Sequence, residues 1–392
     1  MEGPNKAADP SRTDCAQPRF EPDSEPAPTD FADALPTGPA RGRGSGLNPS
    51  NRFQDLRLHV LGEHLDEVTK ESPEGARLPT TVLPDRSRTV INRVDSPDLP
   101  MDWTINPYRG CEHGCIYCYA RPGHEYLSMS CGVDFETKIL AKHDAPELLR
   151  KELAHPRWRG EAIAMSGVTD PYQPIERELR ITRGCLEVMA ECRQAVTIIT
   201  KNHLVTRDLD LLKDLHRDRA CAVAVSITTL DARLASKMEP RASAPRDRLR
   251  AVEEIASAGI PVMVMTAPII PAINDREIPA LLKAAKEAGA SGAGFIMLRL
   301  PHQVKALFLE WLQRHFPDRA AHVESLIRDV REGGLSDPRF GSRMRGRGPM
   351  AEQIARAHRL FCRRYGLNGA RGGVNTTAFR RPRGADGQMG LW

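Results

Sequence analysis

The sequence lacks the segments expected of a membrane protein and the cysteine content of a disulfide scaffold. No apolar run in its 392 residues approaches the ~18 residues of a membrane span. The best candidate, Ile260 to Pro271, is 12 residues long and interrupted by proline. The N-terminus has no signal-peptide apolar core, and nine cysteines are too few, and odd in number, for a disulfide framework. We therefore expect a cytoplasmic protein with reduced thiols.

The positive charge is confined to the C-terminal end, although the formal net charge is +5 at pH 7. Residues 1–50 contain five basic and eight acidic side chains and nine of the 31 prolines, whereas residues 335–392 contain twelve arginines and three acids. A proline-rich segment with little apolar patterning buries too little surface to offset its ordering entropy. We therefore predict a disordered acidic tail over residues 1–50, followed by a lead-in over residues 51–100.

Six apolar, β-branched runs alternate with segments of helical periodicity from residue 101 to residue 320. The runs are Trp103–Pro107, Ala162–Gly167, Val196–Thr200, Ala222–Thr228, Val262–Pro268 and Gly294–Leu300. Near-continuous apolar runs are typical of strands covered on both faces, and six β-then-α units predict a parallel sheet. The sheet would be either doubly wound or curled into a barrel, and in both cases the chemistry gathers at the carboxyl ends of the strands.

Three cysteines share one loop directly after the first run. Cys111, Cys115 and Cys118 have a C-x3-C-x2-C spacing, and Gly110 and Gly114 allow the loop to turn tightly. Soft thiolates select zinc, copper(I) or iron–sulfur clusters. A four-iron cluster normally takes one cysteine for each iron, so three ligands from this loop would leave one iron open.

A structural zinc site is the alternative interpretation of the same loop, with His113 or His124 completing the ligands. Zinc sites more often combine two separate C-x2-C pairs, and the sequence has no second pair. The pattern therefore favours a cluster. A zinc- or nucleic-acid-binding module on a degenerate barrel, without radical chemistry, is the competing hypothesis.

The cysteine loop, with Tyr117 just before its last cysteine and a βα series around it, resembles the radical SAM superfamily. The resemblance implies a partial (β/α)6 TIM-like barrel over residues 101–320 and a small, basic, helical extension over residues 321–392. It implies an enzyme in which the three cysteines bind a [4Fe–4S] cluster and S-adenosylmethionine (SAM) occupies the fourth iron. An electron from an external flavodoxin- or ferredoxin-type donor would then cleave SAM to a 5′-deoxyadenosyl radical that abstracts hydrogen from an unidentified substrate.

Within that superfamily, residues 100–300 are similar to the spore photoproduct lyase-like branch, also described as DNA repair photolyase-like, and to an uncharacterised bacterial group beside the lyase. This similarity implies a radical relay at Tyr119 and a set of SAM-binding residues, namely Tyr117, Thr169, Asp170, Lys201 and Ser226. One position departs from the lyase pattern. The lyase has a hydrogen-donating cysteine three residues before the loop aspartate, where this sequence has Gly167. Repair of the spore photoproduct is therefore in doubt.

Several of these side chains also have purely structural interpretations. Asp170 is typical of a helix cap, and Lys201 of a solvated loop lysine. Ser226 would bond a neighbouring carbonyl, and Tyr119 would pack as an ordinary aromatic residue.

The basic features of the sequence suggest an anionic partner. Arg299 ends the sixth run, inside the predicted mouth, where it would need a substrate carboxylate or phosphate, or Glu239, as its partner. The arginines of residues 335–392 would either neutralise nucleic-acid phosphates or form a solvated face. A helix predicted over Met350–Tyr365 has an apolar stripe and should dock on the barrel. The sequence has no nucleic-acid reading motif, so such binding would depend on backbone charge alone.

Overall fold

The structure, a computed structural model, describes residues 40–53, 78–369 and 373–382. The first 39 residues of the predicted tail lie outside the described residues. So do residues 54–77 of the lead-in and two stretches near the C-terminus, 370–372 and 383–392.

Six parallel strands follow one another in space in the same order as in the chain. They are β3 (Trp103–Ile105), β6 (Ile163–Met165), β7 (Val196–Thr200), β8 (Cys221–Ser226), β9 (Val262–Ile269) and β10 (Gly292–Met297). Antiparallel β2 (Ile91–Arg93) extends the sheet beside β3. A doubly wound sheet would reverse its strand order at a switch point, whereas this order is sequential. The partial (β/α)6 barrel is therefore confirmed.

A smaller sheet lies beside the barrel in the order β1–β5–β4. Its strands are β1 (Thr81–Pro84), β4 (Tyr108–Arg109) and β5 (Lys138–Ala141). Because β4 runs directly into the cysteine loop, this sheet carries the entry to that loop.

Helices cover the outer face of the barrel and extend beyond its last strand. They are α1 (Asp134–Thr137), α2 (Ala145–Ala154), α3 (Glu176–Leu179), α4 (Ile181–Cys192), α5 (Leu209–Arg217), α6 (Ala232–Met238), α7 (Pro245–Ser257), α8 (Ile278–Glu287), α9 (Val304–His315), α10 (Ala320–Asp329), α11 (Ser342–Arg345) and α12 (Gly348–Arg364). Four short 3₁₀ helices are also described: Arg121–Leu127, His203–Asp208, Asp275–Glu277 and Pro317–Arg319. Among the helices of the described ranges, none combines the length and the apolar character of a membrane span.

The two faces of the barrel strands differ in burial. In β9, Val262 and Val264 are fully buried in the main core, whereas Met263 and Met265 are only half-buried. Successive side chains of a strand point to opposite faces, so the methionines lie on the face away from these buried valines. Near-continuous apolarity predicts equal cover on both faces. The alternation shows instead that one face is left partly open.

Residues 40–50, which composition assigns to the tail, are mostly buried against the barrel. Arg43, Ser45 and Leu47 are each less than a tenth exposed. The prediction of a disordered tail is wrong for these residues, because their backbone and side-chain polar groups bind specific partners, described below.

The C-terminal extension packs around the barrel. The helix predicted over Met350–Tyr365 is confirmed as α12, which docks on β10 and α8. Residues 373–382 then cross beneath the amino ends of the strands, where the Asn375 amide donates to the Arg219 carbonyl at 2.9 Å. Several extension arginines are therefore used within the fold. Arg381, for example, donates to the carbonyls of Leu153 and Trp158.

Two aliphatic residues of α12 test how far this helix stabilises the barrel. Ile354 is 4% exposed and Leu360 is 52% exposed. We expect Ile354→Ala to lower the free energy of unfolding by about 3 kcal/mol, because it leaves a cavity against the sheet edge. Leu360→Ala should cost roughly 0.5 kcal/mol or less. Urea unfolding followed by circular dichroism measures both, and equal losses would mean that α12 does not dock as described.

Candidate functional site

The three cysteines lie in a loop beyond β4, at the carboxyl end of the barrel. Cys111 and Cys115 are buried and Cys118 is half-buried. The Cys111 amide donates to the Phe135 carbonyl at 2.9 Å, and the Ile116 amide donates to the Met238 carbonyl at 3.0 Å. Backbone bonds to two distant segments therefore hold the loop.

Two glycines let this loop approach its neighbours closely. Gly110 and Gly114 have φ values of +80° and +66°, which other residues rarely adopt. A Cβ on Gly110 would lie 2.9 Å from the His124 ring, and one on Gly114 would lie 2.6 Å from the Glu136 carboxylate. Neither position has room for a side chain.

A fully buried arginine closes the loop from behind. The Arg121 guanidinium donates to the Cys115 carbonyl at 2.9 Å and to the Cys131 and Gly132 carbonyls at 3.2 and 2.9 Å. It also forms an ion pair with Glu136 at 2.5 Å, and both side chains are 0% exposed. Two buried opposite charges therefore hold the cysteine loop to α1.

Residues 40–53, which we call the N-terminal strap, also bind the Glu136 carboxylate. The amides of Gly44 and Ser45 each donate to Glu136 at 2.9 Å. A Cβ on Gly44 would lie 1.8 Å from the Gly114 carbonyl oxygen, so only glycine fits there. The strap therefore packs against the cysteine loop at Gly114, so that a glycine of the strap faces a glycine of the loop.

Glu112, inside the cysteine loop, binds three separate segments. Its carboxylate accepts hydrogen bonds from the Thr80 hydroxyl at 2.6 Å, the Ile175 amide at 2.6 Å and the Arg241 guanidinium at 2.9 Å. The Glu112 amide donates to Gln173 at 2.8 Å. This role of Glu112 leaves no signal in the sequence, because none of its partners is close in the chain.

Two hydroxyls of the predicted SAM-binding set are already hydrogen-bonded within the barrel. Thr169 donates to the Gly110 carbonyl at 2.7 Å and so supports the start of the cysteine loop. Ser226 donates to the Met265 and Ala267 carbonyls of β9 at 3.4 and 3.3 Å. Each hydroxyl oxygen keeps lone-pair capacity to accept from a ligand.

Asp170 joins two strand ends. It accepts hydrogen bonds from the Thr200 hydroxyl at 2.7 Å and the Lys201 amide at 2.8 Å, and it lies 3.4 Å from the His113 ring. Burial alone would raise the pKa of Asp170, but His113 and these hydrogen bonds lower that pKa to about 2. Asp170 is therefore an ionised residue whose bonds align the second and third barrel strands.

Lys201 and Tyr117 lie together beside the loop. The Lys201 ammonium is 5.9 Å from the centre of the Tyr117 ring. The Tyr117 hydroxyl donates to Glu239, which is paired with the buried Arg248 and also accepts from Thr228 at 2.5 Å. Glu239 is therefore already partnered, and the predicted alternative in which it pairs with Arg299 is not met.

Among the described residues, no carboxylate lies within ion-pair distance of the Lys201 ammonium. Burial lowers the pKa of Lys201, but the nearby Cys115 and Glu239 outweigh that effect and raise the pKa overall. Lys201 is therefore a protonated side chain left available to an anionic group.

Tyr119 reaches across the mouth of the barrel. Its hydroxyl donates to the Gly167 carbonyl at 2.7 Å, and its ring is half-exposed. The Arg299 guanidinium lies 5.4 Å from the centre of that ring. Gly167 has a φ of +142°, so the position that carries a cysteine in the lyase here has a backbone that favours glycine.

The histidines near the loop have structural contacts. His113 bridges Asp170 and Asn202, while His124 lies 2.9 Å from the Lys138 carbonyl. Within the described ranges, no three or more His, Cys, Asp or Glu side chains converge as one metal ion requires. Cys131 is fully buried, and its thiol donates to Gln303 at 3.2 Å.

The donor set of the loop fits a soft metal centre. Burial raises the pKa of Cys115 to about 12 and raises the pKa of Cys111 as well. Thiols in such surroundings ionise when a cation binds them, and thiolates are the ligands of iron–sulfur clusters. Cys111, Cys115 and Cys118 are therefore the residues able to hold such a group at this edge.

The parallel partial barrel and the three-cysteine loop at its carboxyl edge are the features expected of a radical SAM protein. Comparison with known proteins supports this class. The model of the radical SAM superfamily matches residues 105–285. An uncharacterised protein of Mycobacterium tuberculosis is 35% identical over 244 residues, which are 62% of this chain and 72% of that protein. An uncharacterised protein of Methanocaldococcus jannaschii is 30% identical over 196 residues, or 50% of this chain and 70% of that protein.

Solved structures share the fold. A double mutant of spore photoproduct lyase with bound AdoMet and dinucleoside spore photoproduct matches with a TM-score of 0.51 and 16% identity, covering 78% of this chain and 92% of that one. The lyase complexed with dinucleoside spore photoproduct matches with a TM-score of 0.50 and 17% identity, covering 72% and 78%.

The chain belongs to the radical SAM superfamily, as its cysteine loop predicts. Members of this superfamily are enzymes that use a [4Fe–4S] cluster and SAM, and these are the cofactors of this chain.

The Arg121–Glu136 pair yields a test of how the loop is held. We expect Glu136→Gln to lower the free energy of unfolding by about 3 kcal/mol, because it leaves Arg121 charged and buried without its partner. The matched control is Glu191→Gln, since Glu191 pairs with Arg150 at the surface and should be worth roughly 0.5 kcal/mol. Urea unfolding of both variants is the measurement. A loss for Glu136→Gln no larger than that of the control would contradict this account.

Proposed function

We propose that Cys111, Cys115 and Cys118 bind a [4Fe–4S] cluster and that the chain uses it with SAM to abstract hydrogen from a substrate. The observation that carries the proposal is the position of three thiols, two buried and one half-buried, in one loop at the carboxyl edge of the barrel. When bound, the reduced cluster supplies the electron that cleaves SAM reductively to a 5′-deoxyadenosyl radical.

The number of thiols supports a cluster with an open iron. A four-iron cluster takes one thiolate for each iron, so this loop supplies three of four. In the part of the chain that the structure describes, the other cysteines are buried at other places, such as Cys131, Cys185 and Cys221. The fourth iron of such a cluster would then be left to the amino and carboxylate groups of SAM.

Lys201 is the residue we assign to the SAM carboxylate. Its ammonium lies beside Tyr117 and has no carboxylate partner among the described residues. Tyr117, Thr169, Asp170 and Ser226 complete the proposed SAM-binding set. Their hydrogen bonds within the barrel support a preorganised wall in which each group is held in place before a ligand arrives.

Tyr119 stays our proposed relay, because it follows Cys118 directly and spans the mouth to Gly167. The reaction proposed here differs from that of the lyase, since the lyase's hydrogen-donating cysteine is replaced by glycine. The electron would come from a flavodoxin- or ferredoxin-type protein. The free thiols of the described residues fit a reducing cytoplasm.

Cys115→Ala tests the ligand assignment. After anaerobic reconstitution we expect the unaltered chain to hold roughly four irons with a broad visible absorption, and Cys115→Ala to lose both, because one iron lacks its thiolate. 5′-Deoxyadenosine formed with dithionite and SAM should fall at least about a hundredfold. Iron and sulfide analysis and chromatography of the products are the measurements.

Cys131→Ala is the matched control, since Cys131 is equally buried but bonds Gln303. It should keep the cluster. A full cluster in Cys115→Ala would contradict the assignment. Stoichiometric zinc without sulfide in the anaerobically purified chain would favour the zinc-binding module instead.

Lys201→Gln tests the SAM assignment separately from the cluster. We expect the Kd for SAM to rise about tenfold, which corresponds to about 1.4 kcal/mol, because one charge-assisted contact to the carboxylate is lost. The iron content should not change. Lys213→Gln, an exposed lysine on α5, is the control and should leave SAM binding as it is. Equal affinity in the Lys201 and Lys213 variants would remove Lys201 from the site.

A further inference from the structure

A second cation lies in the mouth, after the sixth barrel strand, whereas Lys201 follows the third. Arg299 lies two residues beyond the carboxyl end of β10 and is half-buried. Its guanidinium lies over the ring of Tyr119, which is the residue after Cys118. Arg299 and the cysteine loop therefore share one opening.

Arg299 has no acidic partner among the described residues. Its guanidinium donates to the Met344 sulfur at 3.6 Å, and a thioether is a weak acceptor. The nearby carboxylate of Asp98 is taken by Arg343, which donates to both of its oxygens at 2.7 and 2.5 Å. Glu239, the other candidate, is paired with Arg248. Arg299 is thus left without an ion pair in the described part of the chain.

Arg331, behind this position, adds a second positive charge. It is 3% exposed and donates to the carbonyls of Met297, Leu298 and Ser342, while its Nε has no partner in the described structure. Burial is the main cause that lowers the pKa of Arg331 to about 10; the nearby Asp337 opposes that shift, and the charge of Arg299 adds to it. Three neutral carbonyls therefore hold Arg331, while Asp337 offsets part of its charge without forming an ion pair with it in the described ranges.

Two partly desolvated cations that form no ion pair are costly to keep unless an anion binds to them. The planar guanidinium matches the two oxygens of a carboxylate or a phosphate, and stacking on Tyr119 leaves its edge available to them. We propose that Arg299, with Arg331 behind it and Tyr119 beside it, binds an oxyanion of the substrate. The chemical class is a carboxylate or a phosphate ester. That this anion belongs to the substrate rests on the proposed function, whereas the anion site itself does not.

The test is the binding of inorganic phosphate and of acetate to the full chain, with and without its cluster, by isothermal titration. We expect about one anion per chain, with a Kd that rises about tenfold in Arg299→Gln. Arg345→Gln removes an equal charge from an exposed arginine of α11 and should leave the Kd unchanged. Tighter phosphate would indicate a phosphate ester as the natural group, and tighter acetate a carboxylate.

A second measurement tests whether the bound anion lies close to the cluster. The reduced cluster is paramagnetic, so it should broaden the ³¹P signal of bound phosphate in the unaltered chain but not in Arg299→Gln. Lys201→Gln should keep this broadening, which separates the site from that of the SAM carboxylate. Arg299→Lys keeps the positive charge but loses the paired N–H donors of the guanidinium, so we expect an intermediate Kd for phosphate.

Two results would overturn the proposal: no binding of either anion, or equal binding in the Arg299 and Arg345 glutamine variants. Because the titration is repeated on the chain without its cluster, failure of the proposed function would leave this result intact. If Arg299→Gln does not fold, Arg299→Lys with unaltered affinity for both anions would overturn it equally.

Discussion

The buried ion pair between Arg121 and Glu136 is the interaction on which the cysteine loop depends. Arg121 holds the loop carbonyl of Cys115, and Glu136 holds the amides of Gly44 and Ser45 in the strap. Breaking such a pair leaves one charge buried without its partner, which is strongly unfavourable, so the two residues stay together in the folded chain. The loop, α1 and the N-terminal strap consequently form one unit, and protein contacts set the spacing of the thiols.

The polar residues at the strand ends divide into two groups with different uses. Thr169, Asp170 and Ser226 have protein partners, so they make a rigid wall. Lys201 and Arg299 are cations without carboxylates in the described part of the chain, so they are free to meet anions. The rigid wall fixes the position of a bound ligand, and the unpaired cations attract its anionic groups. A site for a charged cofactor and a reactive radical needs both.

Features that depend on neighbours along the chain could be predicted from the sequence, whereas features that depend on distant partners could not. The strand predicted over Val196–Thr200 has the same bounds in the structure, because a β-branched run decides its own conformation locally. Composition failed at residues 40–50, since the amides of Gly44 and Ser45 bind a buried carboxylate about 90 residues away. Glu112 gave no signal because its partner Arg241 is 129 residues further along the chain.

By itself the sequence determined the cysteine spacing, the glycines that permit the loop and the series of β/α units, because each depends on neighbours along the chain. Only the tertiary structure decided that Glu239 belongs to Arg248, that Asp98 belongs to Arg343 and that Arg299 is left without a carboxylate. The reason is competition. Several arginines share few acidic partners in the mouth, and the folded geometry alone determines which of them is paired.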